Sequence, residues 1–117
     1  MYFIEWAKLK ELKAKDFTEA FSNKEGIDEF NKLASPAGMK FIGAFFTGLG
    51  GEGDVEMWYE IKNYGVLDKT NNTNAELKAF REKFLGKYGN LFEWSKDKIV
   101  IPISDVNLID PSKIKKD

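Results

Sequence analysis

The sequence predicts an α+β sandwich of order β-α-β-β-α-β, on three observations. Four short runs have strand character: residues 2–9, 39–47, 54–62, and the pair 91–94 and 99–103. Two longer stretches, opening at Asp16 and Ala75, carry apolar residues at helical spacing. The middle strands are joined by a glycine-rich turn, so they form a hairpin, and the whole order is the split βαβ pattern of a ferredoxin-like sandwich.

The first strand is apolar on both faces. Tyr2, Ile4 and Trp6 share one, and Phe3, Ala7 and Leu9 share the other with the single charge Glu5. Asp16 with Glu19 three residues on predicts a capping box at the first helix. Phe17, Ala20 and Phe21 form one stripe there, and Ile27, Phe30, Leu33 and Ala34 form another rotated away from it, so a break is expected near Gly26. Pro36 and Gly38 end this helical region. In the second strand Phe41, Gly43, Phe45 and Thr47 alternate with Ile42, Ala44 and Phe46, and in the third Val55, Met57, Tyr59 and Ile61 alternate with Glu56, Trp58, Glu60 and Lys62. A polar connector, residues 63–73, has room for a helical turn around Val66 and Leu67. Thr73 and Glu76 then cap a helix over 75–88 with Leu77, Phe80, Arg81, Phe84, Leu85 and Tyr88 along one stripe and Gly89 after it. Ser95 to Lys98 reads as a turn between the two last strand-like pieces, and Pro102 marks a strand end. One domain over 1–104 is expected, followed by a polar tail, 105–117.

Between the hairpin strands stands Gly48-Leu49-Gly50-Gly51-Glu52-Gly53, the spelling of a dinucleotide loop. A phosphate cradle needs a helix after its glycines, and here a strand follows, with Glu52 and Asp54 adding negative charge. It reads as a turn. Composition narrows the chemistry further. Eighteen basic against nineteen acidic residues give a net charge of −1 and no electrostatic case for nucleic acid or an anionic membrane. No apolar run is long enough to span a bilayer, and the start of the chain lacks a signal-peptide pattern, so a cytoplasmic protein is expected. With no Cys and no His, thiol chemistry, zinc hydrolysis, triads and His-ligated haem are excluded. A hard-metal site from Glu52, Asp54, Glu56 and Glu60 matches no known loop spacing, and neither a metal nor a cofactor is called for.

Two helices cover only one face of a four-stranded sheet. Apolar residues on both faces of the first two strands, among them Trp6 or Phe3, Ile42 and Phe46, leave a patch that predicts a homodimer through the sheet face. The hairpin also resembles a family. Gly38-x-Lys40-x-x-Gly43, Thr47, Gly50, Val55 and Trp58-Tyr59 are similar to the NIPSNAP-type members of the dimeric α/β-barrel superfamily, as loosely is the opening Tyr2 to Lys10. Glu5 departs from that pattern, standing where an Arg is usual, and Trp58 and Tyr59 lack their usual spacer. The resemblance implies a closed sheet-to-sheet dimer. It also implies a relation to cofactor-independent monooxygenases and haem-dependent enzymes, the latter disfavoured by the missing histidines.

The candidate site residues are polar groups on apolar elements. Glu5, if it faces the helices, must be neutralised, paired or used as a base; Arg81 is its candidate partner, and a plain Glu5–Arg81 ion pair is the competing reading. Tyr59 and Tyr88 are candidate donors to a phenolic or quinone-like ligand, with Trp6, Trp58 and Trp94 as walls, against the alternative of an aromatic core with satisfied hydroxyls. Glu56 and Glu60 flank Trp58 and read either as a polar pocket or as a solvated strand face. Phe17, Phe21, Phe30, Phe80 and Phe84 read as core. The expected function is binding of a small apolar or aromatic ligand between sheet and helices, with Glu5 and Tyr59 catalytic in a cofactor-independent monooxygenase or isomerase; the alternative is a non-catalytic dimerisation or ligand-sensing module.

Overall fold

A computed structural model describes residues 1–47, 54–67 and 75–102. Its elements are β1 (Tyr2–Leu9), α1 (Ala14–Ser22), α2 (Lys24–Ala34), a 3-10 turn (Ser35–Ala37), β2 (Met39–Phe46), β3 (Asp54–Ile61), α3 (Ala75–Tyr88) and β4 (Phe92–Val100). The four strands form one antiparallel sheet in the order β2-β3-β1-β4. This is the α+β sandwich of split βαβ order expected from the sequence. The glycine loop, Thr73 and the tail 105–117 lie outside the described residues, but the two strands of the hairpin pair as expected, and Thr47 N–H donates to the Asp54 carbonyl at 3.0 Å.

Three local expectations are corrected. The first helix starts at Ala14, two residues before Asp16, and no side chain caps it; Lys13 instead lies 3.4 Å from the Asp16 carboxylate. The helical region splits into two pieces as expected, with the break at Asn23, three residues before Gly26. Asn23 is extended, and its side-chain oxygen accepts the Gly26 N–H at 3.3 Å, so one polar side chain ends α1 and starts α2. Residues 95–98 are not a turn: β4 runs unbroken and pairs Ser95, Lys96, Asp97 and Lys98 with Ala7, Trp6, Glu5 and Ile4. The free edge of β1 supplies these polar residues with ladder partners, overriding their low strand propensity. Finally, β2 carries a bulge between Phe41 and Gly43, which shifts every later residue to the other face. Phe41, Ala44 and Phe46 face the helices while Phe45 faces away, and the Phe41 N–H beside the bulge donates to Asn31 Oδ1 of α2 at 2.7 Å.

Two apolar clusters lie between sheet and helices. One joins Ala7, Leu9, Val55, Met57 and Phe41 to Phe17 and Ala20 of α1 and to Leu91. The other joins Met39 and Ile61 to Ala34, Val66 and Leu77. Gly38 makes the turn into β2 with φ +95, a left-handed conformation. Leu77 is the only buried residue of α3, so this helix rests on the sheet mainly through partly exposed aromatic side chains. Among the described residues no helix lies on the other sheet face. There Trp6 meets Trp94 edge-on at 5.0 Å, and Trp58 packs near Tyr2 and Phe45 at 5.7 and 6.0 Å. No helix among the described residues is long and apolar enough to cross a membrane.

Candidate functional site

A cavity of about 540 Å³ opens between the sheet and the helices. It exists because α3 stands off the sheet on large rings. Phe80, Phe84 and Tyr88 line it from α3, Phe21 and Phe30 from α1 and α2, and Phe41 and Phe92 from the strands. The rings hold one another in tilted and edge-on contacts: Phe21 to Phe84 at 5.5 Å, Phe84 to Tyr88 at 5.2 Å, and Phe30 and Phe41 to Tyr59 at 5.7 and 5.4 Å. Of the five helical phenylalanines read as core, only Phe17 is fully buried; the other four line the cavity. Helical spacing predicts which face a ring is on, and it is silent on whether the space beneath is filled.

One wall is polar. Glu5 and Tyr59 stand on neighbouring strands, diagonal to each other, since Phe3 pairs with Tyr59 and Glu5 with Met57. The Tyr59 hydroxyl donates to the Glu5 carboxylate. Arg81 faces both from the α3 side of the cavity. Burial pushes the Glu5 carboxyl above its ordinary range. The Tyr59 hydrogen bond and the Arg81 charge pull it back, and the Asp97 charge on β4 adds to the rise. Tyr59 is held well above the usual phenol range, first by burial and then by the negative charge of Glu5. It therefore stays a hydrogen-bond donor across the physiological range. Chemically, this wall offers a carboxylate of raised proton affinity, a phenol that fixes its orientation, and a cation facing both.

The cavity brings together Glu5, Tyr59, Arg81 and Tyr88. Tyr88 sits further out, its hydroxyl 3.5 Å from Glu19 Oε1. Trp6, Trp58 and Trp94 lie on the opposite sheet face and are not walls of this space. The reason is the strand alternation itself, which sends Trp6 and Glu5 to opposite faces. Glu56 accepts the Trp58 indole N–H at 2.8 Å and lies 3.9 Å from Lys98, while Glu60 is exposed, so these carboxylates belong to the open face. Among the described residues no group of three or more acidic side chains gathers to hold a metal. Sequence reasoning missed Asp97, which it placed in a turn, and the ring walls Phe41 and Phe92. For Phe92 the signal was present in the strand reading of residues 91–94.

No family model matches the chain, and no curated protein sequence matches it. Solved structures do. A NIPSNAP family protein of unknown function from Agrobacterium tumefaciens superposes with a TM-score of 0.64 at 23% identity, over 86% of this chain and 86% of that one. A second NIPSNAP family protein from that organism gives 0.65 at 18% identity, over 87% and 93%. A candidate antibiotic biosynthesis monooxygenase from Nitrosomonas europaea gives 0.56 at 18% identity, over 88% and 99%. At such identities the likeness is one of fold, and on fold this chain groups with the NIPSNAP and antibiotic-monooxygenase structures, as its hairpin residues led us to expect.

Proposed function

We propose that this protein binds a small aromatic ligand bearing a phenolic, quinone-like or carbonyl oxygen, and that Glu5 acts on it as a base. The observation that carries this reading is the convergence of Glu5, Tyr59 and Arg81 in a cavity lined largely by aromatic rings. Ring-lined space of this size takes up a flat apolar body, and a few convergent polar groups orient it. Glu5 accepts a proton from the acidic O–H or C–H of the ligand, Tyr59 holds the carboxylate in place, and Arg81 stabilises the oxyanion that forms. Return of the proton to another atom gives isomerisation; in the cofactor-independent monooxygenase variant the carbanion adds to dioxygen, the peroxide takes up a proton, and the hydroperoxide loses water to leave a carbonyl, so that one oxygen atom stays on the ligand and the other leaves as water. The test is a thermal-shift screen against phenols, quinones and small aromatic acids, with wild type and Glu5→Gln in parallel. A ligand that binds only the folded state raises its apparent stability. Binding that ignores Glu5→Gln, or no binding at millimolar concentration, sinks the reading.

The functional unit in this proposal is a homodimer through the sheet face opposite the described helices. Its support is the exposed aromatic carpet there, with Phe45 48% and Trp94 37% exposed beside Trp6 and Trp58. Light scattering that finds a strict monomer at micromolar concentration overturns the dimer. The same carpet favours the second reading, a non-catalytic dimerisation or ligand-sensing module, which predicts binding of the screened ligands without turnover.

A further inference from the structure

Glu5 has an acidic neighbour on a second strand. β1 and β4 run antiparallel with Glu5 directly opposite Asp97. Side chains of such a pair leave the same face of the sheet, with Cβ atoms about 4.5–5.5 Å apart. That face is the helix-covered one, because Ala7 and Leu9 beside Glu5 on β1 belong to the core. The two lysines flanking Asp97 turn the other way. Lys96 lies over the Trp6 and Trp94 rings at 5.9 and 5.4 Å, and Lys98 reaches Glu56 at 3.9 Å. Its same-face neighbours along the ladder, Ser95, Ile99, Phe3 and Ala7, carry no charge. Like charges directly opposite one another weaken a sheet, so this pairing is unfavourable for stability alone.

We propose that Asp97 is a positioning residue for the Glu5 base, setting its proton affinity from across the strand pair. The inference rests on the reading of Glu5 as the base of the cavity. Glu5 is faced by Tyr59 from β3, Arg81 from α3 and Asp97 from β4. The cavity rim adds Glu25, Glu29, Lys83 and Lys87, two acids and two bases. Tyr59 and Arg81 favour the charged carboxylate and so weaken it as a base; Asp97 opposes them and restores proton affinity. A general base works best when its titration lies near the operating pH. Asp97 itself is exposed at the sheet edge, so its influence passes partly through solvent and is screened by salt.

The experiment is an NMR titration of the Glu5 side-chain carboxyl carbon in the free protein, for wild type, Asp97→Asn and Asp97→Lys. The Glu5 midpoint is expected to fall in that order, with Asp97→Asn weakening proton binding about three- to tenfold at low salt and the gap narrowing in high salt. Asp97→Ser is a second neutral variant that guards against a local strand effect of Asn. A Glu5 midpoint that stays at its wild-type value in both folded neutral variants overturns the proposal. Because the titration needs no ligand, the two ideas fail separately. A moved midpoint with no phenol binding supports Asp97 and counts against the ligand reading alone; phenol binding with an unmoved midpoint overturns the role of Asp97 alone.

Discussion

Replacing Tyr59 by Phe removes one oxygen and tests the polar wall directly. In the native protein the Tyr59 hydroxyl donates to Glu5, and this bond favours the charged carboxylate. Phe keeps the ring and its contacts with Phe30 and Phe41, so the loss is confined to the hydrogen bond. A hydrogen bond to a charged group contributes about 1.5–3 kcal/mol and a neutral one about 0.5–1.5 kcal/mol. Glu5 keeps some exposure to solvent, which places the charged-state cost near the lower end, about 1.5–2 kcal/mol. The cost therefore depends on pH. When Glu5 is ionised the variant loses the stronger bond, and when it is protonated only the weaker one. Thermal unfolding near pH 8 should show the full loss, a Tm lower by roughly 6–8 °C for a domain of this size. Near pH 4 the loss should shrink to about half, and the Glu5 titration in the variant should move to higher pH. Equal destabilisation at both pH values would refute the claim that Tyr59 serves the Glu5 carboxylate.

Four further outcomes are expected. Because burial raises Glu5 in the folded state, that state binds the proton more tightly than the unfolded chain, and stability falls as pH rises from the unfolded midpoint of 4.5 through the folded one; Glu5→Gln should remove this slope and raise the urea midpoint at neutral pH. Phe17→Ala should cost about 3–5 kcal/mol as a core truncation, whereas Phe84→Ala, already facing empty space, should cost about 1–2 kcal/mol while weakening ligand thermal shifts; equal costs would mean the cavity is closed in solution. Gly38→Ala should destabilise by about 1–3 kcal/mol in chemical denaturation, since φ is +95 and the new methyl would stand 3.0 Å from Lys62 Cβ and Val66 Cγ2. Phe45→Glu, on the open face, should weaken self-association at least about tenfold by sedimentation equilibrium and leave the Tm of the monomer nearly unchanged.

The fold was readable because its signals are local and periodic. β1 and α3 have the bounds their patterns imply, and alternation alone puts Tyr59 with Met57 and Ile61 on the helix side. What escaped depends on neighbours distant in sequence. The bulge in β2 leaves no mark in the string Phe41-Ile42-Gly43, yet it decides that Phe45 and not Phe46 joins the open face. Ser95 to Lys98 look like a turn until β1 offers them a ladder. The pairing of Glu5 with Tyr59 was hidden for the same reason: each residue reads correctly alone, and only the strand register makes them neighbours. A cavity is less legible still, because rings that fill a core and rings that surround a space follow the same spacing.

The central place of β1 has a kinetic consequence. Trp6 pairs with Glu56 on one side and Lys96 on the other, about fifty and ninety residues further along the chain. Sheets built on such remote pairings fold slowly, because the chain must close long loops before those contacts form. Glu5 stands on this strand, with Tyr59, Arg81 and Asp97 arriving from three later elements. No short segment of the chain therefore holds even a partial version of the polar wall. In a refolding experiment, binding competence should appear only with the phase that docks β4, making ligand capture a clock for the completion of the native state.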